Sequence, residues 1–173
     1  VNTTAATASP GVWNLGFLRA HPVKLLGIVL HLFFRFLFGL FWIAAGTNKI
    51  RKDWITTDML KRVFEDRLTE MPPDSFPVFY LQKFAIPLYK LVAVVVTTGE
   101  LYVGVALLLG FTTRWAAGVS FFILVNLALG GYYDASLIPF FLLSVLMMSW
   151  NSGHWFGLDK RLHARNPASI WFR

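Results

Sequence analysis

Two full charges stand inside long apolar runs: Arg35 within residues 25–46 and Glu100 within residues 87–110. Either one alone is costly at the centre of a bilayer, so each requires a partner. Arg35 lies ten residues beyond the start of its run, and Glu100 lies ten before the end of its own. If the runs are antiparallel helices, the helical rise puts both about 15 Å from one surface, which predicts a buried Arg35–Glu100 ion pair. Asn126, counted from Arg114, falls at about 18 Å and joins the same layer. His31 is four residues before Arg35 and shares its face, as Thr97 does with Glu100. Along the last apolar run Ser144, Met147, Met148, Asn151 and His154 recur at spacings of three and four, a polar stripe expected to face inward.

A buried carboxylate beside a guanidinium can polarise or protonate a carbonyl oxygen, and quinone reduction consumes protons. Arg35 and Glu100 are therefore the candidate catalytic pair, with His31, Asn126, Asn151 and His154 as candidate hydrogen-bond partners around a quinone. The competing reading is that the ion pair, closed by Asn126, only fixes the packing register of the helices. His31 reads first as a hydrogen-bonded interior histidine, and a bis-histidine haem held by His31 and His154 is the minority alternative that ligand chemistry allows. The adjacent Met147 and Met148 read as gap-filling side chains, because no Cys or clustered His accompanies them for copper. Neither metal nor haem is the leading expectation. His21 and His163 read as surface residues, and the cluster Lys49-Ile50-Arg51-Lys52 as a helix end anchored at headgroups.

The elements that must position these groups follow from the pattern. The run 25–46 is long enough for one membrane crossing, about 33 Å of helix. Residues 57–70 carry Met59, Val63, Phe64 and Leu68 at helical spacing among charges, predicting an amphipathic helix lying at the interface. Met71-Pro72-Pro73-Asp74 stops it, since Pro lacks an amide donor. Further crossings are expected over 87–110, 115–132 and 136–155, and the short links between the last three force antiparallel neighbours. The fold class is thus all-α: a single membrane domain forming an antiparallel four-transmembrane-helix bundle with an interfacial helix between the first two crossings. Residues 1–20 read as an N-terminal tail, mobile over its Thr/Ala/Ser-rich first ten residues, and 157–173 as a basic C-terminal tail.

Composition agrees with this class. The 173 residues are 56% hydrophobic and only 14% charged, against roughly a quarter charged in soluble domains. Seventeen Phe and seven Trp suit a chain that meets lipid tails and headgroups. The net charge of +7 sits at the ends of the apolar runs, so membrane lipids rather than nucleic acid are the expected partners. The absence of Cys excludes disulfides and thiolate chemistry within the chain. No signal-peptide pattern is read in residues 1–20, so the first crossing is expected to direct insertion. Lys and Arg divide almost evenly between the two sides. The short basic turn at Arg114, set against the link carrying Asp134, favours cytoplasmic termini.

The motifs Gly46-Thr47-Asn48-Lys49, Gly99-Glu100-Leu101-Tyr102-Val103-Gly104 and Gly110-Phe111-Thr112-Thr113-Arg114, together with Arg35 and the tail Gly157-Leu158-Asp159, give the chain a pattern over most of residues 30–162. It resembles the DoxX/DoxD-like membrane family, which includes the DoxD component of thiosulfate:quinone oxidoreductase. The resemblance implies a four-helix fold in the cytoplasmic membrane of a prokaryote, with quinone as electron acceptor in the DoxD case. The long segment 49–74 favours the DoxD-like branch, in which catalysis requires another subunit. A non-catalytic accessory subunit of a larger respiratory or photosynthetic complex is the alternative. A transporter ranks third, because no inverted repeat or paired broken helices are visible. Nucleotide-binding signatures are absent.

Overall fold

A computed structural model describes residues 15–172, which form helices and turns, with no strand among them. The helices are α1 (Leu15–Ala20), α2 (Pro22–Arg51), α3 (Met59–Thr69), α4 (Phe76–Tyr80), α5 (Tyr89–Leu109), α6 (Thr113–Leu129), α7 (Leu137–Ser149) and α8 (Asp159–Arg165). Of the expected N-terminal tail, residues 1–14 lie outside the described residues and the remainder contains α1. The basic C-terminal tail is largely helical turns, α8 and Ile170–Phe172, and only Arg173 lies outside.

Local chemistry explains the boundaries. Pro22 opens α2, where its missing amide donor costs nothing, and Lys49 and Arg51 fill the last turn, where cations suit the carbonyl end. Gly110 closes α5 at φ 62°, a left-handed conformation that favours glycine. A π-helical turn, Leu81–Ala85, follows α4 directly and runs up to Pro87. The segment 76–85 was not expected to be helical.

The fourth apolar run, expected as a helix over 136–155, is helical only over Leu137–Ser149. Trp150 is extended, and a 3-10 turn, Ser152–His154, follows. Asn151, Ser152 and Gly153 are weak helix formers, and the carbonyls of Ser152 and Phe156 are engaged by Arg35. Conversely, α2 outruns its apolar core at both ends and reaches 30 residues.

The long helices pack as a ring, α2 on α5, α5 on α6, α6 on α7, and α7 back on α2. Their shared core is built from Phe38, Trp42, Val103, Leu107, Leu124 and Met147. A hydroxyl pair, Ser120 with Ser144 at 2.8 Å, ties α6 to α7. A second cluster, with Leu60, Phe64, Leu81, Ala85 and Ala93, seats α3 on the π turn and α5. The outer faces are apolar too: Leu26, Phe33 and Leu40 on α2, and Leu91 and Val105 on α5, are all exposed. α2 and α5 are long and apolar enough to cross a membrane, yet only 39% of each apolar window is buried. A soluble core helix would hide most of that surface from water. α6 and α7 are shorter, at 17 and 13 residues.

Glycines fix the tightest contact. A Cβ on Gly39 would meet Leu108, one on Gly46 would meet Leu101, and one on Gly104 would lie 2.8 Å from the Ile43 backbone nitrogen. These contacts make α2 and α5 antiparallel at close range, as small residues allow in membrane bundles. Gly104→Ala is expected to cost about 1–3 kcal/mol by forcing the two helices apart. Gly118→Ala, where nothing lies within 4 Å, should leave stability unchanged. Thermal unfolding in detergent micelles measures both, and equal midpoints for the two variants would refute the register.

Candidate functional site

The polar groups read from the sequence gather into two separate layers. In the first, the Arg35 guanidinium donates to the carbonyl oxygens of Ser152 at 2.8 Å and Phe156 at 2.7 Å. Asp159, buried, accepts from the Thr112 amide at 2.6 Å, the Thr113 amide at 3.0 Å and the Thr113 hydroxyl at 2.7 Å. It thereby caps the N-terminus of α6 from 46 residues away, and its charge also acts on Arg35. The Asp159 and Leu158 amides donate to the carbonyls of Gly110 and Leu109. Gly110 and Gly157 lie so close that a Cβ on either would fall 2.7 Å from the Cα of the other. The chain's end is thus sewn to the α5–α6 turn.

The expected Arg35–Glu100 ion pair does not form. The equal-depth argument aligned the ends of the two apolar runs, whereas the contacts of Gly39, Gly46 and Gly104 set a different register. Extended along the helices, that register puts Arg35 level with Thr112, and Glu100 level with Thr47. The two positions are separated by about 18 Å of helix. Side-chain direction widens the gap, because every helical Cβ tilts towards its own N-terminus. On antiparallel helices Arg35 and Glu100 therefore lean apart.

Glu100 instead pairs with Lys49, Nζ to Oε1, at 2.7 Å. Lys49, expected as a headgroup anchor, is turned inward, and only 16% of its side chain is exposed. A signal for this was available: Lys49 follows Gly46 by three residues and so shares the face that meets α5. The ammonium also stands 4.9 Å over the Trp54 ring.

Beside this pair lies a cavity of about 300 Å³ between α3, α4, the π turn, α5 and α6. Its walls are mostly apolar, and Lys49, Trp54, Tyr80, Asn126 and Tyr132 supply the polar groups. The Tyr80 hydroxyl donates to Asn126 Oδ1 at 2.6 Å, and Asn126 Nδ2 donates to the Phe122 carbonyl at 2.8 Å. Burial pushes the Tyr80 hydroxyl above its ordinary range, so it remains a donor at neutral pH. The Trp54 indole nitrogen and Glu100 Oε2 are buried with no hydrogen-bond partner among the described residues. Leu91, Val95 and Phe122 line the same cavity and are exposed on the outer faces of α5 and α6, so it reaches that apolar surface. Trp54, Tyr80 and Tyr132 were not singled out from the sequence, because they lie on segments whose path it does not dictate.

The remaining expected partners lie elsewhere. His31 is buried between Trp150, at 5.6 Å, and Trp155, at 5.2 Å, in the Arg35 layer. Asn151 follows the break that ends α7. His154 meets the Phe172 carbonyl at 2.6 Å and the His163 ring at 5.3 Å. Of the six candidates, the structure places Asn126 on the cavity wall and Glu100 behind it, while Arg35, His31, Asn151 and His154 belong to the other end.

The sequence pattern of the DoxX family matches residues 30–130, which hold α5, α6 and α2 from residue 30 onward. The chain belongs to the DoxX family. As a DoxX-family membrane protein, it carries both the Lys49–Glu100 pair and the Arg35 side of the tail clasp within the matched region, whereas Gly157-Leu158-Asp159 lies beyond it. No curated protein and no solved structure matches the chain.

Removing one partner of a buried ion pair typically costs about 3–5 kcal/mol, while removing both costs far less. Lys49→Met should therefore destabilise this DoxX protein more than the double variant Lys49→Met/Glu100→Gln does. Unfolding midpoints of the two would decide; a double variant no more stable than the single one would mean that the pair is not energetically coupled.

Proposed function

We propose that this DoxX protein is a four-crossing subunit of the cytoplasmic membrane of a prokaryote, with cytoplasmic termini, that takes a quinone headgroup into the cavity beside Lys49. In this reading it belongs to the DoxD-like branch, as in thiosulfate:quinone oxidoreductase, and a partner subunit oxidises the substrate. α6 and α7 complete the crossings, the short α7 being extended by residues 150–154.

The observation that carries the reading is the shape of the cavity. It opens sideways, past Leu91, Val95 and Phe122, onto a surface suited to lipid rather than water. A ligand dissolved in the bilayer, with a polar ring and an apolar chain, fits that geometry: ring inward, chain out through the side. About 300 Å³ is at the small end of ligand sites and suits a single ring. The donors suit carbonyl oxygens, since Lys49 and the unpartnered Trp54 indole both line the wall.

A bound quinone supplies a two-electron, two-proton acceptor. The chain's own residues hold positive charge and a proton at Lys49 Nζ, with Glu100 fixing the ammonium from behind. Tyr80 is oriented by Asn126 and keeps its hydroxyl proton. The expected quinone partners accordingly become Lys49, Glu100, Asn126, Tyr80 and Trp54, with Arg35 reassigned to holding the tail.

The accessory-subunit reading rests on a different observation. By the glycine register, α2 runs on past the end of α5 by roughly four turns, where Val23, Leu26 and Leu30 are exposed. Such an apolar extension suits a neighbouring membrane subunit.

The test is purification from the native membrane in lipid nanodiscs, with extracted quinone measured per chain and copurifying proteins identified. Near-stoichiometric quinone is expected, lost in folded Lys49→Met. Phe122→Trp, which narrows the side opening, should lower quinone content without unfolding. Glu100→Gln should abolish quinone-linked electron transfer in membranes. A defined complex that assembles without quinone in this chain, and whose electron transfer survives Glu100→Gln, would establish the accessory role instead.

A further inference from the structure

The α5–α6 turn carries a feature that the quinone reading does not use. Arg114, near the start of α6, donates from Nε to the Met148 carbonyl at 2.9 Å. That bond fixes one edge of the guanidinium, and no carboxylate pairs with it among the described residues. Arg114 lines a cavity of about 320 Å³ together with Trp115, Met148 and Ile170. The end of the chain supplies the opposite wall. The Trp115 indole donates to the Ile170 carbonyl at 3.3 Å, and the Trp171 ring lies 4.7 Å from that of Trp115.

The charge around this cavity is uncompensated. Arg19, Lys24, Arg114, Lys160, Arg161 and Arg165 are exposed on this side of the bundle, and Asp159, its one acid among the described residues, is buried as the cap of α6. On the other side eight cations meet seven exposed carboxylates and Glu100. Counting cations alone makes the two sides look alike. Counting both signs makes one strongly positive and the other close to neutral.

We infer that the Arg114 cavity holds the phosphate of an anionic phospholipid headgroup, drawn from the leaflet that faces the α5–α6 turn. A guanidinium presents a planar fork matched to phosphate oxygens, and the bond to Met148 holds that fork in place before the ligand arrives. Paired tryptophans are the side chains that settle at headgroup depth. A net positive end concentrates anionic lipid beside it. Free inorganic phosphate shares the headgroup chemistry, but Trp115, Met148 and Ile170 add apolar walls suited to the glycerol and first acyl carbons, not to a hydrated ion. The same site sets this side of the protein against the anionic leaflet.

Native mass spectrometry of the intact chain in mild detergent tests the assignment, with phosphatidylglycerol or diacylglycerol, which lacks the phosphate, as the added lipid. Phosphatidylglycerol should be retained about tenfold more tightly, the scale of one charge-assisted hydrogen-bonded contact. Arg114→Gln should remove the preference, while Lys24→Gln, on the same side but outside the cavity, should keep it. Ile170→Ala trims a wall without touching the helix core, so it should weaken phosphatidylglycerol retention severalfold at an unchanged unfolding midpoint, even if Arg114→Gln does not fold. Equal losses in Lys24→Gln and Arg114→Gln would reduce the effect to diffuse charge and overturn the site. Undiminished retention in Arg114→Gln or in Ile170→Ala would overturn it as well. Displacement of the lipid by low-millimolar inorganic phosphate would identify a free anion as the ligand and overturn the lipid assignment.

Discussion

A guanidinium buried among apolar helices must find acceptors, and the demand of Arg35 organises one whole end of this protein. No carboxylate reaches it directly, so it takes two backbone carbonyls, those of Ser152 and Phe156. The Ser152 carbonyl also accepts the Trp155 and Phe156 amides, so the guanidinium adds a bond to a turn that already closes on itself. The last apolar helix stops at Ser149, and the chain turns back over the end of α5. That turn brings Asp159 to the amides of Thr112 and Thr113, where a carboxylate meets the positive end of α6. A single buried charge thus links a helix break, a backbone crossing and a helix cap.

The opposite end solves the same problem in another way. Lys49 and Glu100 neutralise each other across the interface of α2 and α5, close to the amphipathic α3 and the turns that follow it. The two polar layers are held by different means: the one beside the cavity by an ion pair of two side chains, the one at the tail by a guanidinium on backbone carbonyls.

The sequence made the helices legible because their signals are local. The amphipathic helix expected over 57–70 occupies Met59–Thr69, and the run 87–110 contains α5, Tyr89–Leu109, since Pro87 and Gly110 mark its ends chemically. Its reading of Arg35 and Glu100 as buried was also sound. What it could not supply was which charge meets which. That depends on the axial offset between α2 and α5, set by Gly39, Gly46 and Gly104 against specific neighbours, and on the lean of side chains along antiparallel axes. Assuming aligned ends moved Arg35 by about 18 Å relative to Glu100. The break after Ser149 was hidden for a similar reason: weak helix formers alone do not end a helix, and the Arg35 side chain that holds the turn beyond it comes from far away in sequence.

That distance also sets a timetable for biogenesis. Arg35 leaves the ribosome 117 residues ahead of Ser152 and 121 ahead of Phe156. Throughout most of synthesis its first membrane helix must therefore carry an unsatisfied charge, sheltered by water, by headgroups or by the insertion machinery. Only when the last stretch emerges can the charge be sealed. A chain cut short before that point retains its apolar helices but lacks the two carbonyls that hold this guanidinium in the folded protein.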